Sequence, residues 1–134
     1  MSSTSMHKRI LTVFGVSAVS VILYACGGGG DGSSSTDSLS PSAQEGLEIA
    51  QNNGCASCHG SDFGGAAAPT WKGLAGSVRK LTDGTEVVAD REYLIKAIME
   101  PDAQVVRGYA LMMPMNGLDS AEVEKIVDYI EDLR

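Results

Sequence analysis

Residues 53–60 read "NGCASCHG", and their interpretation decides the fold. Two cysteines, Cys55 and Cys58, are separated by two residues, and His59 follows at once. A Cys-x-x-Cys pair alone fits a redox disulfide, half a zinc site or haem attachment. The adjacent histidine selects the third. Thiols at this spacing can add to the two vinyl groups of one haem, and the next imidazole then reaches the iron as fifth ligand. A tetrahedral zinc site needs about four ligands. Beyond these three residues, the only other Cys and His in the chain are Cys26 and His7, at its start. A thioredoxin-like site needs a βαβ setting, whereas this motif follows a helical pattern and a glycine.

Outward from the motif, the chain divides into three parts. Residues 1–25 hold no acid, a basic start at Lys8 and Arg9, and the apolar run "ILTVFGVSAVSVILYA". That order is the order of an export signal, with an uncleaved anchor helix as the alternative. "LYAC" at 23–26 resembles a bacterial lipoprotein box, which makes Cys26 the expected lipidation site. Residues 27–40, "GGGGDGSSSTDSLS", read as a flexible tether, with an r.m.s. reach of about 20 Å. Residues 41–134 read as the domain. Covalent haem attachment takes place outside the cytoplasm, so export and motif agree. Cysteine usage closes: Cys26 for lipid, Cys55 and Cys58 for haem.

Without Lys8 and Arg9 the exported part keeps 8 basic side chains against 17 acids, net −9. Such a balance argues against nucleic-acid binding. It also argues against electrostatic attraction to anionic lipid.

The domain reads as short helices with long loops. Ser40 and Pro41 open a helix expected to stop near Asn53-Gly54. "RKLTDGTEVV" reads as a small hairpin. Asp90 caps "REYLIKAIME", which Pro101 ends. Asp119 and Glu122 form a capping-box pattern ahead of an apolar face of Val123, Ile126, Val127 and Ile130. The acids of this last helix (Glu122, Glu124, Asp128, Glu131, Asp132) read most simply as a solvated face. The core is thin for 94 residues, so a cofactor is expected to fill the centre.

No histidine is left for the sixth iron position, which points to Met, Lys, water or nothing. Three of the chain's six methionines lie in "GYALMMPMNG", 108–117. Pro114 forces the residue before it out of helical geometry. Met113 is therefore the expected ligand. Alternation along an extended run puts Met112 on the other side and Met115 on the same side, with both expected as soft packing. Met99 falls on a predicted helix and fits a core role. Pro69, whose C=O has no N–H beside it, is the expected acceptor for the second ring nitrogen of His59. Trp71 either donates its indole N–H to a haem propionate or packs. Arg79 and Lys80 read as a solvated hairpin arm, with a propionate contact as the alternative. Tyr93, Leu94, Ile98, Tyr109 and Leu111 are expected to form the apolar wall.

With these stretches in place, the chain resembles a class I cytochrome c. It is most similar to the cytochrome c domain fused to subunit II of some haem-copper oxidases. The resemblance runs through "NGCASCHGSDFGG", "PTWKGLAGS", "LTDGTEVVADREYLIKAI", "EPDAQVVRGY", "MMP" and "GLDSAEVEKIVDYIEDL". It implies an all-α fold of short helices around one covalent haem c, with a small β-hairpin. It implies haem links at Cys55 and Cys58 and axial ligands at His59 and Met113. It also implies a crossing of the first and last helices at Gly46 and Tyr129. Ala50 replaces an aromatic common in the first helix, and the chain shows no copper-binding domain. The resemblance thus implies a haem module on its own tether. Its expected role is to carry single electrons between redox proteins on the periplasmic side, among them a haem-copper oxidase or a quinol-oxidising complex. An enzyme or gas sensor with an open iron, and a fixed subunit of a larger complex, are the alternatives.

Overall fold

The computed structural model describes residues 39–133. The expected export signal, lipidated Cys26 and tether up to residue 38 lie outside the described residues. Among the described residues, no helix is long and apolar enough to cross a membrane.

The element order is α1 (Pro41–Asn52), α2 (Ala56–His59), β1 (Val78–Lys80), β2 (Glu86–Val88), α3 (Arg91–Met99) and α4 (Ser120–Asp132). Ser40 caps α1: its Oγ accepts from the Ala43 N–H at 3.2 Å, and Pro41 stands at the first helical position. Leu39, read from the sequence as tether, is buried, and the Ser40 N–H donates to Asp132 Oδ2 at 2.9 Å. The packed structure therefore begins ahead of α1.

The first and last helices form the main packing pair. The buried face of α1 is small: Ala43, Gly46 and Ala50. It meets the larger buried face of α4: Val123, Ile126, Val127, Tyr129 and Ile130. At Gly46 the two backbones come so close that a Cβ there would lie 1.9 Å from the Lys125 carbonyl oxygen. Only glycine permits that approach. Tyr129 directs its ring onto a second cluster, edge-on to Phe63 (centroids 5.3 Å apart) and to Trp71 (6.1 Å).

Helix α4 starts with a complete capping box. The Glu122 N–H donates to Asp119 Oδ1 at 2.9 Å, and the Asp119 N–H donates to Glu122 Oε2 at 3.0 Å. Such reciprocal bonding satisfies two N–H groups that a helix start otherwise leaves open. Several of the helix's other acids hold neighbouring elements and are not simply a solvated face. Asp128 and Glu131 each accept from Arg91 Nη1 at 2.8 Å, which ties the start of α3 to α4. Asp128 also accepts from the Ser42 hydroxyl, which ties in α1.

The hairpin pairs Val78 with Val88, Arg79 with Val87 and Lys80 with Glu86. Period-two alternation divides its faces. Val78, Lys80, Glu86 and Val88 are exposed, and Arg79 and Val87 are half-buried against the body. A stitched loop covers the inner side. The Thr82 N–H donates to the Val105 carbonyl at 2.9 Å, the Arg107 N–H donates to the Lys80 carbonyl at 2.8 Å, and Leu81 bridges to Val106. The fold is thus the expected all-α arrangement with a small two-stranded sheet.

Candidate haem site

The motif is built by one tight turn of helix. After α1, Gly54 takes φ +74° and turns the chain, and Cys55 opens α2. The Cys55 N–H still donates back to the Ala50 carbonyl at 3.0 Å, so α2 is fixed to the end of α1. Residues three apart on a helix share a face, which places Cys55 and Cys58 together. Both are half-buried and free of any disulfide.

His59 ends α2, and the chain then folds back over it. The Gly65 N–H donates to the His59 carbonyl at 2.8 Å, and the Ala68 N–H donates to the Cys58 carbonyl at 2.9 Å. These bonds bring Pro69 round to the imidazole. His59 Nδ1–H donates to the Pro69 carbonyl at 2.8 Å. With Nδ1 protonated in a neutral ring, Nε2 keeps its lone pair. Burial pushes the His59 pKa below the ordinary imidazole value, and the bond to Pro69 offsets part of that. Both features describe a neutral ring ready to act as a ligand.

Trp71 is 4.9 Å from the His59 ring, centroid to centroid, and stacks on Phe63 at 4.3 Å. Phe63 is the largest fully buried side chain and takes φ +55°, unusual for an aromatic residue. Sequence reading passed over it, because it lies in the Gly-rich loop "SDFGGAAAP" with no periodicity around it.

Beside the motif lies a cavity of about 220 Å³. Cys55, Cys58 and His59 line one part of it, with Pro69 and Trp71. Tyr93, Leu94 and Ile98 come from α3, Ile126 and Ile130 from α4, and Tyr109, Leu111 and Met113 from the long loop between those helices. All five residues expected as apolar wall are therefore in the lining.

The methionines separate by burial. Met113 is half-buried, packs against the core and lines the cavity. Met112 lines the cavity but is 62% exposed, and Met115 is 69% exposed and outside the lining. Neither packs as soft filler. The expected alternation fails at Met115, beyond Pro114, where Asn116 draws the chain elsewhere. Its Nδ2–H donates to the Ile98 carbonyl at 2.7 Å, and its Oδ1 accepts from the Leu118 N–H at 3.2 Å. Met99, expected in the core, stands at the exposed end of α3 and outside the lining.

Arg79 and Lys80 also separate. Lys80 points to solvent and pairs with Glu86 at 4.0 Å. Arg79 lines the cavity, where among the described residues it is the one side chain with a full formal charge.

The cavity suits haem by the chemistry of its lining: two thiols, a neutral imidazole, a thioether, apolar walls and one cation. Among the described residues no cluster of three or more His, Cys, Asp or Glu could hold a bare metal ion. A search of curated proteins finds no match to the chain. A family model described as cytochrome c matches residues 43–134.

Proposed function

The chain belongs to the cytochrome c family, whose domains transfer electrons with haem c held through a Cys-x-x-Cys-His motif. From that premise we propose that it is a membrane-tethered carrier of single electrons outside the cytoplasmic membrane, with iron held by His59 Nε2 and the Met113 sulfur. The observation that carries this reading is the convergence on one cavity of Cys55, Cys58, His59 and one half-buried thioether.

Bound haem supplies one-electron chemistry at its iron; the protein supplies binding, orientation and electrostatics. Cys55 and Cys58 fix the macrocycle by thioether links. The Pro69 carbonyl holds the imidazole plane and increases the donor strength of Nε2. Pro114 stiffens the segment that presents Met113. A His/Met pair raises the reduction potential relative to harder ligands. The apolar walls add to that by disfavouring the more highly charged oxidised centre.

Redox partners meet such a carrier in brief contacts at the small end of interface sizes. A haem-copper oxidase or a quinol-oxidising complex fits this role, and lipid on Cys26 with a flexible tether would let the domain move between them. A mobile carrier is separated from a fixed subunit by gentle detergent extraction, since a subunit co-purifies in constant ratio.

The test is optical spectroscopy of the purified protein, oxidised and reduced, with an intact mass. The expected result is one covalent haem, a low-spin ferrous spectrum and the sulfur-to-iron charge-transfer band in the oxidised form. Met113→Ala should abolish that band and lower the potential. A band that survives in Met113→Ala, or a high-spin ferrous wild type that binds carbon monoxide rapidly, would overturn the assignment.

A further inference from the structure

Three thioethers fall within four residues, Met112 to Met115, and they occupy three different settings. Met113 is half-buried and packs against the core. Met112 lines the cavity yet is 62% exposed, and Met115 is 69% exposed and outside the lining. Leu111 beside them is 63% exposed, and residues 108–118 carry no charged side chain in a chain of net charge −7. The segment is therefore a strip of exposed apolar surface that includes two exposed thioether side chains.

Side chains this exposed gain little from burial, so packing does not explain a methionine at either position. Leucine would present similar apolar area. What methionine adds is a soft, polarizable sulfur, which two-electron oxidants convert to a polar sulfoxide. At Met113 the same reaction meets two obstacles. Half-burial narrows the approach to its side chain, and in the ligation proposed above its sulfur lone pair is held by iron.

We propose that Met112 and Met115 are sulfoxidation sites that consume hypochlorous acid ahead of Met113, and that their oxidation makes this strip polar while the iron ligand stays in place. This oxidant attacks thioethers without help from a metal. A sulfur displaces hydroxide from chlorine, so an S–Cl bond forms as the Cl–O bond breaks. Water then adds at sulfur, chloride leaves, and two protons are lost, one of them to that hydroxide. Sulfur gives up two electrons and chlorine receives them, so no further reductant is needed. The order among the three sulfurs rests in part on the Met113 ligation proposed above; the change of surface rests on exposure alone.

The test titrates the oxidised holoprotein with hypochlorous acid added in small steps. Peptide mass mapping reads which sulfurs gain oxygen, absorbance follows the sulfur-to-iron band, and retention on a phenyl matrix reads the apolar surface. The expected result is one oxygen on each of Met112 and Met115, with loss of phenyl retention, before Met113 gains oxygen or the band falls. In a Met112→Leu, Met115→Leu double variant the same doses should leave retention unchanged, and the band should disappear at a smaller dose. Exchange of methionine for leucine keeps volume and apolar character, and both sites are exposed, so the variant folds. Oxidation of Met113 before or together with Met112 and Met115 overturns the proposal. So does a double variant that loses retention, or one that keeps its band up to the wild-type dose. A wild type that lacks the band before any oxidant is added would defeat the Met113 assignment instead, and the mapping and retention comparisons would still decide this proposal.

Discussion

Replacing Gly46 by Ala tests the packing that places the site. The new Cβ would lie 1.9 Å from the Lys125 carbonyl oxygen, 2.4 Å from its carbon and 2.9 Å from the Ile126 nitrogen. All three are backbone atoms of α4, so no side chain can swing away. An ordinary contact of about 3.4 Å requires the helices to part by about 1.5 Å, the difference from the 1.9 Å approach. That opens the seam of Ala43 and Ala50 against Val123, Ile126 and Val127. Overpacking of this kind costs about 3 kcal/mol, the upper end of its usual range, because rigid backbone is involved. Alanine's better helix propensity returns about 1 kcal/mol. The net loss of about 2 kcal/mol corresponds to a Tm drop of about 8–16 °C for a domain of this size.

The two terms have opposite signs, which makes the experiment decisive. Thermal unfolding of the holoprotein, followed by far-ultraviolet circular dichroism, should show the drop in Gly46→Ala. Gly117→Ala is the control: a Cβ there meets nothing within 4 Å, so it should be neutral or slightly stabilising. A Gly46→Ala protein melting at or above the wild-type temperature would refute the close-crossing argument, because propensity alone would then be acting.

Phe63→Ala should destabilise the holoprotein by about 3–5 kcal/mol, read by chemical denaturation, since it removes the buried ring between Trp71 and Tyr129. A loss below about 1 kcal/mol would show that Trp71 closes the gap. A second expectation concerns acid. Burial works against ionisation of Asp128, but the Ser42 hydroxyl and the Arg91 guanidinium outweigh it and hold its pKa below the ordinary 3.8. With the folded value below the unfolded one, this stabilisation is present at neutral pH and fades as pH falls through the folded value. Wild-type Tm should therefore fall more steeply than that of Asp128→Asn between about pH 5 and pH 2; parallel curves would remove the ion pair from the account.

Much of this protein can be read from local sequence because the signals are local. Cys55, Cys58 and His59 are neighbours on the chain, and their chemistry needs only their spacing. Ser40, Asp90 and Asp119 cap helices through side chains that reach no further than three residues. The period of Val123, Ile126, Val127 and Ile130 marks the buried face of α4, and all four are buried. Proline 114 separates Met113 from its neighbours by a steric rule acting on one peptide unit.

What tertiary structure alone decides concerns residues distant in sequence. Alternation along a strand says that Arg79 and Lys80 face opposite ways, but not which of them faces in. Docking of the hairpin on the 100–107 loop settles that, placing Arg79 in the cavity lining. Phe63 is central because a loop without periodicity folds it under Trp71. Alternation put Met115 with Met113, whereas the Asn116 bond to α3 redirects the chain after Pro114. Charge counting made α4 a solvated acidic face, whereas Arg91, 37 residues before Asp128, makes part of that face a joint between helices. The physical reason is common to these cases. Helix caps, turns and motif spacing are energies of a few adjacent residues, while burial and pairing depend on which surfaces the packed helices bring together.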